Sequence, residues 1–158
     1  MQVCLSCKVC SRARCYVTSI KERNSHWKGR QAINSQLQAA AIFHITSRAA
    51  WEEARATGVY RGDTLDSEGF IHCSLARQVI EVANARFRGQ QGLVLLQIDT
   101  TRVAPEIKYE GAEEELFPHI YGPLDRGAVI TVYDFLPDRD GLFQLPAAVS
   151  EQAGGERA

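Results

Sequence analysis

The sequence predicts an α+β domain built of small mixed or antiparallel sheets and two helices. Residues 42–89 read strand, helix, strand, helix, and the chain from Leu93 onward reads almost wholly as strand. That order argues against a doubly wound parallel sheet. No P-loop, G-x-G-x-x-G, H-E-x-x-H or G-x-S-x-G occurs, so the common nucleotide and hydrolase motifs are absent.

Taken in order, Ile42-Phe43-His44-Ile45 is a short apolar strand. Thr46-Ser47 caps an amphipathic helix over Arg48 to Thr57, with Trp51 and Ala54 on one side and Gly58 where a left-handed residue closes it. Gly69 to Cys73 reads as a second strand. Ser74 then caps a helix whose apolar residues Leu75, Val79, Val82, Ala83 and Phe87 recur at helical spacing, ending at Gly89. Leu93 to Ile98 is apolar on both faces and is therefore expected at the centre of a sheet. Glu106–Tyr109, Phe117–Tyr121 and Val129–Phe135 add three strands, the last alternating Ile130/Val132 against Val129/Thr131/Tyr133. Pro123 and Pro137 punctuate the end, and residues 147–158 read as a flexible polar tail.

The 158 residues suffice for one domain with a core, and a composition 45% hydrophobic and 23% charged excludes collagen, coiled coil and wholesale disorder. No apolar run approaches the ~18 residues that cross a membrane. The net charge of −1 conceals a split. Residues 1–40 carry seven Lys or Arg against one acid, whereas residues 41–158 carry eleven against eighteen. The predicted organisation is thus a basic N-terminal extension over 1–40, a single globular domain over 41–146 and the tail.

Cys4, Cys7, Cys10 and Cys15 crowd the extension, and only Cys73 lies beyond it. The spacing C-x2-C-x2-C-x4-C approaches an iron–sulfur run but has a longer last gap, and Tyr16 where proline would follow. It also lacks the insert between paired knuckles that a zinc finger needs. A disordered basic tail is the simplest reading, with a metal site or an organelle-targeting peptide as alternatives and nucleic-acid binding not excluded by charge. The apolar stretch of a secretory signal is missing, so reduced cysteines and a cytoplasmic location are expected.

Three of the four histidines, His44, His72 and His119, fall inside predicted strands. Side chains alternate along a strand, so His44 shares a face with Ile42 and Thr46, His72 with Phe70 and Ser74, and His119 with Phe117 and Tyr121. Each imidazole keeps apolar or aromatic company and a hydroxyl, which suits an aromatic-lined cleft; the alternative is three separately satisfied core histidines. Cys73 faces away from His72, which disfavours a Cys–His nucleophile pair and makes it a small core residue. Ser74 is most simply the helix cap. In the run Glu113-Glu114-Glu115, Glu115 lies nearest the His119 strand and is the member within reach of a cleft.

Ile42-Phe43-His44-Ile45, Glu68-Gly69-Phe70-Ile71-His72-Cys73-Ser74 and Leu116-Phe117-Pro118-His119-Ile120-Tyr121-Gly122-Pro123-Leu124 together resemble the signatures of the domain of unknown function 952 family. The resemblance covers about residues 41 to 143. It implies a small, mainly bacterial, soluble α+β domain. It further implies an ADP-ribosyltransferase-like split barrel, in which two small sheets form a cleft for NAD and His44, His72 and His119 (or Tyr121) occupy the motif positions. The glutamate that many such transferases carry on the later strand is absent there, and Glu115 lies just before it.

Three functions follow. In an ADP-ribosyltransferase-type enzyme or nucleotide binder, with NAD as substrate, His44 contacts a ribose hydroxyl, Phe70 and Tyr121 stack on the base, Ser74 binds ligand, and His72, His119 and Glu115 polarise or move protons. A non-catalytic module would hold a small metabolite in the same cleft. A three-histidine zinc site from His44, His72 and His119 would activate water.

Overall fold

The computed structural model describes residues 41–112 and 115–154; the expected extension over 1–40 lies outside them. In chain order the elements are β1 (Ile42–Ser47), α1 (Arg48–Thr57), β2 (Val59–Tyr60), the one-turn α2 (Leu65–Glu68), β3 (Ile71–His72), α3 (Val79–Arg86), β4 (Leu93–Ile98), β5 (Ile107–Ala112), β6 (Glu115–Ile120), β7 (Leu124–Asp125), β8 (Val129–Phe135) and α4 (Ala147–Gly154). Short 3-10 turns precede α3 and β8 and follow β4.

Every strand pair is antiparallel. β1, β4 and β8 form one sheet with β4 central; β3, β6 and β5 form a second with β6 central; β2 and β7 make a two-stranded ribbon. β4 is buried along its whole length because both its faces are covered. Val94, Leu96 and Ile98 pack with Trp51 and Ala54 of α1, while Leu93 and Leu95 pack with Val79 and Ala83 of α3. Its unbroken apolar run is the sequence image of that position.

α1 begins and ends as its sequence predicts. The Ser47 hydroxyl accepts from Ala50 N–H at 3.1 Å, and Gly58 closes the helix at φ 87° with its N–H on Ala54 O. Two expectations need correction. Ser74 caps no helix: its main chain pairs with Phe43, and the Gln78 side chain takes the Leu75 N–H at 2.9 Å instead. The stretch over 147–154, expected as tail, is α4. Pro146 O receives the N–H groups of Val149 and Ser150, and Val149 fills the cluster formed by Phe135 and Phe143. With the one-turn α2, this brings the α-helices among the described residues to four, against the expected two. Among the described residues, no helix is long and apolar enough to cross a membrane.

A main-chain bridge ties the two three-stranded sheets. Phe43 N–H donates to Ser74 O at 2.8 Å and Ser74 N–H to Phe43 O at 2.7 Å. That bridge sets β1 beside β3 and brings their histidines together.

Candidate functional site

In the second sheet Ile71, Ile120 and Cys73 face the core, so the intervening residues Phe70, His72, Lys108, Glu110, Phe117, His119 and Tyr121 share the opposite face. His72 and His119 are directly opposed across β3 and β6. Because Cys73 N–H donates to Pro118 O at 2.8 Å, they form a non-hydrogen-bonded pair, the arrangement with the closest side chains. Their rings meet edge to face at 4.9 Å.

Each ring has its own carboxylate. His72 Nε2 lies 3.0 Å from Glu68, one turn back, and His119 Nδ1 lies 3.0 Å from Glu110 on β5. Glu110 also accepts from the Tyr121 hydroxyl at 2.7 Å. This hydroxyl first, and His119 second, hold the Glu110 carboxyl below its ordinary range, while the same bond pushes the Tyr121 phenol up. Lys108 sits over the Tyr121 ring, 4.1 Å from its centre.

His44 is built differently. It is 6% exposed, with Nδ1 2.6 Å from the His72 carbonyl oxygen and Nε2 2.7 Å from the Tyr60 hydroxyl, which is 2.8 Å from Thr46 Oγ1. Carbonyl oxygen only accepts, so Nδ1 carries the proton. Burial is the main cause that lowers the His44 pKa and keeps the ring neutral, leaving Nε2 to accept from Tyr60. Both nitrogens are thereby used within the protein.

A cleft of about 530 Å³ joins these parts, lined among others by His44, His72, Ser74, His119, Glu110 and Asp63. The three strand histidines thus do share one cavity. Phe70 and Tyr121 stand behind it and line none of it: Phe70 stacks on His119 with ring centres 4.3 Å apart, and Tyr121 holds Glu110. Glu115 is also outside the lining, where it accepts from Gln78 Nε2 at 3.1 Å. The carboxylate that meets a histidine from the hairpin is Glu110, which alternation on β5 could have revealed, since Ile107 and Tyr109 pack on the core and Glu110 does not. Tyr60 gave no such signal, because its two-residue strand is too short to read.

The three-histidine zinc reading fails on geometry, because His44 has no ring nitrogen left for a metal. Among the described residues no group of three or more His, Cys, Asp or Glu is arranged to hold one. Cys73 is buried, and burial alone raises its thiol pKa, as befits a core residue.

Residues 45–132 match the family described as Protein of unknown function (DUF952). The chain belongs to the DUF952 family. Its fold is also that of protein CC0527 from Caulobacter crescentus: the crystal structure is 35% identical, covers 70% of this chain and 99% of that one, and superposes with a TM-score of 0.65. The solution structure of CC0527 is 39% identical over 66% of this chain and 92% of that one, with a TM-score of 0.58. No curated protein matches this DUF952 chain.

Proposed function

We propose that this DUF952 domain binds an NAD- or ADP-ribose-type nucleotide and transfers its ribosyl group, an ADP-ribosyltransferase-like activity on a split-barrel fold. The observation that carries the reading is the opposed pair His72 and His119, each bonded to its own glutamate at the cleft wall. A carboxylate behind an imidazole fixes its tautomer and stabilises its charged form once it has taken a proton.

The surroundings also suit a cationic reacting group. Glu68, Glu110 and Asp63 lie on or behind the wall, which favours the oxocarbenium-like ribose that forms as nicotinamide leaves. In the step, the C1′–N bond breaks with its electron pair going to nicotinamide, the acceptor's nucleophile bonds C1′, and the acceptor's proton passes to His72 or His119. His44 is withdrawn from the ribose contact the sequence suggested, and its place is as a support for His72. A non-catalytic module is the second reading, favoured by Phe70 covering one face of His119.

Calorimetry with NAD and with ADP-ribose, on the native chain and on His119→Asn, tests the proposal together with chromatographic detection of released nicotinamide. Binding that weakens in the variant, with nicotinamide release lost, supports it. Absence of heat with both ligands overturns it, and binding without release leaves only the module.

A further inference from the structure

Ser74 holds a hydroxyl that the protein does not use. Its N–H and C=O are both bonded to Phe43, at 2.7 and 2.8 Å, which leaves the side chain as its remaining polar group. The residue is 6% exposed, and its hydroxyl makes no hydrogen bond among the described residues. None of their side-chain nitrogens or oxygens is sealed from solvent without a partner, so this hydroxyl opens onto the cleft that Ser74 lines. Polar groups enclosed to this degree are as a rule hydrogen-bonded, and here the bond is left for whatever enters the cleft.

The strands place that hydroxyl. Directly opposed residues of an antiparallel bridge turn their side chains to one face, about 5 Å apart at Cβ, so Ser74 stands beside Phe43. Two residues back along the chain, alternation puts His72 on that face too, with Cys73 between them turned to the core. The same face of β1 carries Ile45, and Phe43 and Ile45 pack with Val82 and Phe87. All four line the cleft, as does Leu93, so Ser74 is the step from an uncharged apolar wall to the imidazole pair. Arg86 follows Val82 by one turn on α3 and lines the cavity as well.

We infer that this part of the cleft is a pocket for a flat, uncharged ring bearing an amide, with Ser74 Oγ bonding the amide and Phe43, Ile45, Val82 and Phe87 packing on the ring. A hydroxyl both donates and accepts, which matches the C=O and NH2 of a carboxamide. The cleft's volume of about 530 Å³ leaves room for a second group at the histidines. The inference rests on the ribosyl-transfer reading for the ring's identity, which is then the departing nicotinamide. Contact with that ring falls to Phe43 and Phe87, since Phe70 and Tyr121 line none of the cleft. An apolar wall with a guanidinium one turn away suits the ring better neutral than cationic. Nicotinamide is cationic in NAD and becomes neutral as it takes the electron pair of the C1′–N bond, so the pocket holds the leaving group more tightly as that bond breaks.

Benzamide, toluene and 1-methylnicotinamide, a permanent cation, are titrated into the isotope-labelled full chain and into its Ser74→Ala variant. Benzamide should shift the Phe43, Ser74 and Val82 signals of the native chain and bind about tenfold more weakly to Ser74→Ala. Toluene and the cation should both bind the native chain more weakly than benzamide does. Ser74→Ala keeps the main-chain bridge and removes no hydrogen bond within the described residues, so it should fold; toluene tests the same contact without a variant. No benzamide shift, equal affinity for toluene or for the cation, or undiminished benzamide binding by Ser74→Ala overturns the inference. Benzamide capture by a chain that gives no heat with NAD or ADP-ribose refutes only the ribosyl reading, and nicotinamide release without benzamide capture refutes only the pocket.

Discussion

His44 Nδ1 stands 2.6 Å from the carbonyl oxygen of His72, so the first strand's histidine holds the main chain of the second sheet. One imidazole is consumed as a joint, and the other two are left at the cleft with carboxylates behind them. The joint is buried and neutral, whereas His72 and His119 each contact an ionisable acid.

The neutral joint predicts a pH dependence of stability. Burial depresses the His44 pKa below the 6.5 of a free imidazole. Below 6.5 the unfolded chain binds a proton that the folded chain refuses, so stability is full above that pH and falls as pH drops toward the folded value. The limiting slope for one group is ~1.4 kcal/mol per pH unit. His44→Asn keeps a donor for the His72 carbonyl and cannot titrate. Urea unfolding at about pH 7.5 and about pH 5.5 should show a larger acid loss for the native chain than for the variant. Equal losses would mean that the ring charges in place.

Tyr60→Phe removes the hydroxyl between His44 Nε2 and Thr46 Oγ1 and leaves both without a partner. The cost should be ~1–3 kcal/mol of unfolding free energy. Burial pushes the Tyr60 phenol up to about 12, so the variant should also lose one late-ionising tyrosine in an alkaline absorbance titration. An unchanged titration would show that Tyr60 is wetter than the geometry requires.

The parts of this architecture that one stretch of chain decides were legible in the sequence. Ser47 and Gly58 bound α1 as their residue types require, and the apolar run Leu93–Ile98 is the central strand. Alternation also told which residues share a face with each histidine. What it could not tell is register between distant strands, and His72 meets His119 only because β3 and β6 pair where they do. Ser74 misled for a physical reason: a serine ahead of a helical pattern looks like a cap, yet here its main chain is held by Phe43 and Gln78 caps from inside. The C-terminal helix was missed because its stretch reads as polar, and Val149 reaches the core in a cluster assembled from remote strands.

Gly111 is predicted to be irreplaceable on steric grounds. A Cβ there would stand 2.2 Å from the Glu115 carbonyl oxygen across the hairpin. Backbone must move to admit it. Gly111→Ala should cost ~1–3 kcal/mol and drag Glu110 away from His119, seen as a lower denaturation midpoint together with shifted His119 ring signals. A variant as stable as the native chain, with those signals in place, would show that β5 and β6 separate freely at this point.

The last prediction separates a supporting from a reacting role for Glu110. Its carboxylate accepts from Tyr121 and sits against His119, and the Tyr121 bond is the leading cause both of the lowered Glu110 pKa and of the raised Tyr121 pKa. Glu110→Gln preserves shape and removes charge, so the Tyr121 phenol should ionise earlier, moving back toward 10.0. The fold should survive, because the side chain is 43% exposed and contributes no core area. Under the ribosyl-transfer reading, NAD binding should persist while nicotinamide release collapses, since only the developing positive charge loses its neighbour. Should release continue at the native rate while the Tyr121 shift is observed, Glu110 merely orients the ring. Loss of NAD binding in equal measure would instead assign it to ground-state recognition of a cation.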